Sequence, residues 1–232
     1  MTERPDLRDL DFDTAYSGGR PLPGIDFGGR VPWDIGGPQP AVVELERAGR
    51  FFGDVIDIGC GLGENAIHLA SRGYRVTGLD GSTVALDRAR ARAREAGVEI
   101  TFAQTDATRL DGYDASFDSV LDSALLHCLD ADQRAAYTTA LHRATRPGAR
   151  LSALVAADRT PIRLVPFTLS EDDVRTSLAA GGWDVTEIRP STISGIMPDE
   201  VIATMFTDTT ALETTAEGHT LLPAWLVTAN RR

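Results

Sequence analysis

The chain has 232 residues, 42% hydrophobic and 25% charged, with a formal net charge of −11 and a pI near 4.8. That length and mix suit one globular domain with a substantial core. The acidity argues against a general affinity for nucleic acid or an anionic membrane, and an aromatic content of 6% offers no base-stacking platform.

Residues 1–40 are rich in Gly, Pro and Asp and predict a long segment with little regular structure. Phe12, Tyr16, Phe27 and Trp33 are scattered through it and predict that it packs onto something. Its start, Met1 to Leu10, is charged and lacks the apolar stretch of a secretory signal. Ala41 to Ala48 predicts one short helix. A buried strand follows at Val55–Ile58, then Gly59, Gly61 and Gly63 at alternate positions, then a helical pattern over Ala66–Arg72. This is a strand, a tight glycine turn and a helix N-terminus, an arrangement that presents backbone N–H groups to a ligand.

Alternation continues. Arg75–Leu79 predicts a second strand ending at Asp80, and Ser82 caps a helix that runs to Ala96 and closes at Gly97. Val98–Gln104 predicts a third strand, Phe117–Leu121 a fourth ending at Asp122, and Arg150–Ala156 a fifth. The helix between the last two spans Asp132–Arg146 and stops at Pro147-Gly148. Strands and helices at this spacing predict an α/β, doubly wound, mostly parallel sheet. Ser170–Ala180 predicts a helix with an acidic first turn, Trp183–Ile188 a sixth strand and Leu221–Ala229 a final one. The Thr-rich stretch from Pro190 to Gly218 has no usable period.

Two ligand readings compete for the glycine turn. Gly61-x-Gly63-x-x-Ala66 with Asp80 matches a dinucleotide pattern loosely and would make the protein an NAD-dependent oxidoreductase. In the other, Asp57 stands two residues before Gly59. A carboxylate there repels a pyrophosphate but suits an ammonium or sulfonium, which favours S-adenosylmethionine.

Val55-Ile56-Asp57-Ile58-Gly59-Cys60-Gly61-Leu62-Gly63 resembles motif I of the class I S-adenosylmethionine-dependent methyltransferases. The resemblance continues through Asp80, Asp106-Ala107, Phe117–Asp122 and Arg146-Pro147-Gly148. It implies a Rossmann-like, seven-stranded sheet whose last strand is antiparallel, with Asp57, Gly59, Cys60, Gly61 and Gly63 around the methionine moiety. It also implies Asp80, with Gly81 and Ser82 beside it, at the ribose, and Asp106 and Ala107 at the adenine edge. Pro32–Pro40, Asp122–His127 and Leu222–Leu226 are similar to segments of small-molecule methyltransferases of the thiopurine and heterocyclic-toxin kind. That likeness implies a lid over residues 1–40 and a methyltransferase domain over 41–232. Trp33 then lies against the cofactor and Tyr16 helps to close the lid. It further implies a thiol-bearing, aromatic or heterocyclic acceptor methylated at S, N or O in detoxification or secondary metabolism, with S-adenosylhomocysteine as the other product. A cofactor-binding protein without turnover is the other reading.

Methyl transfer is an in-line displacement that positioning can accelerate strongly. His127 and Asp122, just past the fourth strand, stand at the carboxyl edge where such sheets bind ligands, Asp122 beside the cofactor. They are the candidate base and its neighbour. Asp122 can equally cap the turn that follows it. Cys60 and Cys128 form no CxxC pair, and His68, His142 and His219 lack ligand spacing, so no metal is predicted. At about 100° per residue, the run of arginines splits into Arg88/Arg92 and Arg90/Arg94 stripes and predicts a solvated helix. With no apolar stretch of membrane-spanning length, the expectation is a cytoplasmic monomer or homodimer without membrane or nucleic-acid partners.

Overall fold

Strand and helix alternate along the chain of the computed structural model, which describes residues 10–22, 25–160, 168–210 and 212–232. The charged start over residues 1–9 and Pro23 lie outside the described residues. The strands are β1 Asp54–Ile58, β2 Arg75–Asp80, β3 Thr101–Gln104, β4 Phe117–Ser123, β5 Thr145–Ala156, β6 Trp183–Gly195, β7 Glu213–Thr214 and β8 Thr220–Arg231. They form one sheet in the order β3-β2-β1-β4-β5-β8-β6, with β7 a two-residue addition to β8. β8 runs antiparallel to both β5 and β6, and the strands from β3 to β5 pair in parallel. The order reverses between β1 and β4, so a crevice opens where their carboxyl ends diverge.

The helices are α1 Phe12–Tyr16, α2 Pro40–Arg47, α3 Glu64–Ser71, α4 Thr83–Glu95, α5 Ala131–Ala144, α6 Glu171–Ala180 and α7 Asp199–Met205. Local chemistry sets their ends. Ser82 accepts the Ala85 N–H at the start of α4, and Asp130 and Ser170 form capping boxes on α5 and α6. Tyr137, Leu141, Val174 and Trp183 bury one face of the sheet. Leu45, Leu69, Leu86 and Ala89 bury the other. No described helix is long and apolar enough to cross a membrane.

Three expectations change. α5 stops at Ala144 and Thr145 already pairs with Phe117, because the strand enters through a bulge before Ser119 meets Arg150. β6 does not end at Ile188 but continues to Gly195 opposite Thr220. Pro190 is tolerated there because β6 is the sheet edge, where a missing N–H breaks no ladder. The third concerns the arginine run, which is not simply solvated. Arg88 donates to the Tyr16 carbonyl at 2.7 Å, and Arg92 grips Asp34 through two nitrogens at 3.2 and 2.8 Å.

The N-terminal segment is thereby fastened to α4. It builds a small core of its own, in which Tyr16, Phe27 and Val31 pack with Leu62 and Ala85 from the sheet side and Val201 from α7. Gln39 closes the join. Its amide donates to Ser194 O and accepts from Ser194 N, both at 2.9 Å and buried. Gln39→Ala removes both bonds and leaves two buried backbone groups without those partners. Urea denaturation should show a loss of about 2–3 kcal/mol; a change below about 0.5 kcal/mol would contradict this role.

Candidate active site

The turn after β1 is built by positive backbone angles, φ +71° at Gly59 and +53° at Gly61. These let the chain curl over the end of β2, where Leu79 O accepts the N–H of Gly59 at 2.7 Å and of Cys60 at 3.0 Å. Asp80 accepts the Gly61 N–H at 2.7 Å through Oδ2 and the Ser82 N–H at 2.8 Å through Oδ1, so one carboxylate shapes two loops. Gly63 N donates to Cys60 O. Four N–H groups of the turn already have protein acceptors, which makes this a poor cradle for a pyrophosphate.

A cavity of about 730 Å³ opens above the turn. Trp33, Gly59, Cys60, Gly61, Asp80, Gly81, Ser82, Asp106, Ala107 and His127 all line it. Asp57, Gly63 and Asp122 do not. Gly63 instead sits at φ +84° against Ala89 and Phe102, where a β-carbon would lie 3.0 Å from Ala89 Cβ. Asp57 is buried beneath the wall, and its Oδ2 has no hydrogen-bond partner among the described residues. Burial, then the nearby Asp80 and Asp122, push its carboxyl up to about 7. A buried carboxylate in want of positive charge, under a turn whose Gly59, Cys60, Gly61 and Gly63 N–H groups already have acceptors, suits a cationic ligand. Burial also raises Asp80 above the usual carboxylate range, whereas exposed Asp106 is lowered by the hydroxyl and N–H of Thr108.

Asp122 faces away from the cavity. Its oxygens accept the N–H of Leu125 at 2.8 Å, the N–H of Leu126 at 3.1 Å and the Tyr137 hydroxyl at 2.8 Å. It caps the turn after β4, so neither a catalytic nor a cofactor contact follows from its position. His127 does reach the cavity, but its Nδ1 accepts the Ala156 N–H at 3.1 Å. That bond assigns the proton of the neutral ring to Nε2. Burial pulls the imidazole down to about 4. The geometry therefore argues against a general base and for a neutral ring that donates through Nε2.

The roof comes from the N-terminal segment. Trp33 Nε1 donates to Tyr16 Oη at 3.0 Å, with the rings of Phe12, Tyr16 and Phe27 each about 6 Å away (6.0, 5.9 and 6.1 Å). Tyr16 Oη stands 2.8 Å from where a Gly61 β-carbon would be, and Asp13 accepts the Ser82 hydroxyl. Burial raises the Tyr16 phenol, so it stays protonated. Met197, Met205 and Phe206, at and around α7, complete the wall beside Ile193 and Leu222. Sequence reasoning missed these three because α7 is short and its apolar residues show no period. Burial keeps the Cys60 and Cys128 thiols protonated, the latter pushed up to about 12. No cluster of metal-ligating side chains occurs among the described residues.

A family model for a methyltransferase domain matches residues 55–148. The 2-heptyl-1-hydroxyquinolin-4(1H)-one methyltransferase of Mycobacteroides abscessus is 36% identical over 194 residues, 82% of each chain. A solved structure described as "Conversion of a Disulfide Bond into a Thioacetal Group during Echinomycin Biosynthesis" is 39% identical. It covers 95% of this chain and 90% of that one, with a TM-score of 0.80. The 1,6-didemethyltoxoflavin-N1-methyltransferase of Burkholderia thailandensis, solved with S-adenosylhomocysteine, shares the fold at 21% identity and a TM-score of 0.59, covering 83% and 76%. With the cation-suited turn at the switch point of the sheet, these likenesses show that the chain belongs to the S-adenosylmethionine-dependent methyltransferases.

Proposed function

We propose that the protein transfers a methyl group to an S, N or O atom of a small thiol-bearing, aromatic or heterocyclic molecule, in detoxification or secondary metabolism. The observation that carries this reading is the acceptor end of the cavity. Leu125, Leu129, Ile193, Met197, Met205, Phe206 and Leu222 wall it, and no lysine or arginine lines it among the described residues. Such a chamber suits a flat, apolar acceptor and offers no counter-ion for a phosphate or carboxylate. The names of the relative at 36% identity and the solved structure at 39% agree in kind, a hydroxyquinolinone in one and sulfur chemistry in the other.

In this reading residues 1–40 are the lid and 41–232 the methyltransferase domain. Asp80, with Gly81 and Ser82, holds the ribose; Asp106 and Ala107 meet the adenine edge; Trp33, Gly59, Cys60 and Gly61 enclose the methionine end, and Asp57 acts from beneath as a counter-charge. S-adenosylmethionine, when bound, supplies an electrophilic methyl group on a sulfonium. The residues contribute enclosure and alignment, which can supply most of the rate for an in-line displacement. Asp122 is clamped and His127 carries its proton on the nitrogen not bonded to Ala156. The acceptor therefore ionises through its own acidity, and His127 lines the wall beside it as a neutral ring.

Three outcomes follow. A panel of thiols, N-hydroxy heterocycles and phenols, read as S-adenosylhomocysteine formed, should give turnover whose alkaline rise shifts with the acidity of each acceptor. No turnover across the panel would support a binding protein instead. His127→Ala should raise KM and lower kcat less than about tenfold, whereas removal of a true base costs roughly 10²–10⁴-fold. The third outcome concerns Asp57. A bound cation favours its charged form, so cofactor affinity should strengthen as pH rises through about 7 and weaken below it. Asp57→Asn should flatten that step in calorimetric titrations, and an unchanged step would assign it to another group.

A further inference from the structure

Beneath the cavity floor lies a buried polar pair that takes no part in the steps above. Asp122 at the end of β4 and Tyr137 on α5 are each 1% exposed, and neither lines the cavity. Tyr137 donates its hydroxyl to Asp122 Oδ2 at 2.8 Å while the same carboxylate accepts the Leu125 and Leu126 N–H groups. The turn held in this way departs from ordinary backbone. Ala124 has φ +81°, a conformation uncommon for a residue with a side chain. Leu125 is pressed so close to the glycine turn that a β-carbon on Gly59 would lie 3.0 Å from Leu125 Cβ. Two residues further on, His127 takes its orientation from Ala156 N–H. Ala124, Leu125 and His127 all line the cavity.

We propose that Tyr137 is a positioning residue for methyl transfer: by donating to Asp122, it keeps that carboxylate the acceptor that clamps the Ala124–His127 turn against Gly59 and Ala156. The inference rests on the cavity being the methyl-transfer site, and it is independent of which acceptor is used.

The electrostatics around the pair make the hydroxyl matter. Burial pushes the Asp122 carboxyl up to about 6, and the Tyr137 hydroxyl and the two N–H groups hold it down. The titratable groups facing it are Asp57 on β1, Cys128 after the turn and Tyr137 itself, none of them cationic. The carboxylate thus depends on hydrogen-bond donors alone. Without the hydroxyl its pKa moves further up. The charged, clamping form exists above that pKa and is lost as pH falls through it.

The test is Tyr137→Phe against the wild type, with the S-adenosylhomocysteine dissociation constant measured by calorimetry from pH 5.5 to 9. Near pH 9 the two proteins should agree within about twofold. Near pH 6 the variant should bind at least about fivefold more weakly, its acid limb displaced upward by roughly one to two pH units, the size of one hydrogen bond to a charged group. Equal binding at every pH, or a gap of the same size at every pH, would overturn the proposal. If the variant does not fold, amide hydrogen exchange in the wild type decides. Leu125 and Leu126 should lose protection below about pH 6 before the middle of α5 does; loss together with α5 would overturn it. Because no acceptor is added in either experiment, a failure here leaves the acceptor reading standing.

Discussion

Leu79 O accepts two hydrogen bonds from the glycine turn, and Asp80, the next residue, accepts a third from Gly61 and a fourth from Ser82. The parallel register of β1 and β2 places Ile58 beside Leu79, so the two strands end level and the turn has nowhere to go but across them. Everything at the cofactor end follows from that fastening. The N–H groups of Gly59, Cys60, Gly61 and Gly63, of the kind that serve a phosphate in other glycine turns, are occupied, and the Asp80 carboxylate stands beside them on the cavity wall. An occupied turn beside buried carboxylates favours a cation and hydroxyl groups over a pyrophosphate.

The other end of the cavity is assembled from parts remote in sequence. The lid brings Phe12, Tyr16, Phe27 and Trp33 over the turn, and Arg88, Arg92 and Gln39 hold it down. The segment around α7 adds Met197, Met205 and Phe206, and Ile196 N donates to Pro32 O at 2.7 Å between the two. The lid and the segment after β6 therefore form one roof.

Much of the floor is legible in the sequence because its signals are local. Asp57, the glycines, Asp80 and Ser82 lie within a few residues of the strand ends and helix caps that place them. The sequence does not distinguish residues that face the cavity from residues that support it. Gly63 and Gly61 share a motif, yet one packs on Phe102 and the other faces Tyr16. Asp122 and His127 stand at the right edge of the sheet, but hydrogen bonds to Leu126, Tyr137 and Ala156 decide their chemistry, and two of those partners are distant in the chain. The half of the roof that follows β6 was illegible for a related reason. Residues 196–206 are few, and they are fixed by lid residues that precede them by more than 150 positions, as Ile196 is by Pro32.

The hollow above Gly59–Gly63 is built for a cation-bearing nucleoside rather than an anionic dinucleotide. Side-by-side calorimetric titration of the full chain with S-adenosylmethionine and with NADH tests it most directly. Saturable binding of S-adenosylmethionine with no detectable heat from NADH is the predicted result. NADH binding as tightly as S-adenosylmethionine, in competition with it, would contradict the account.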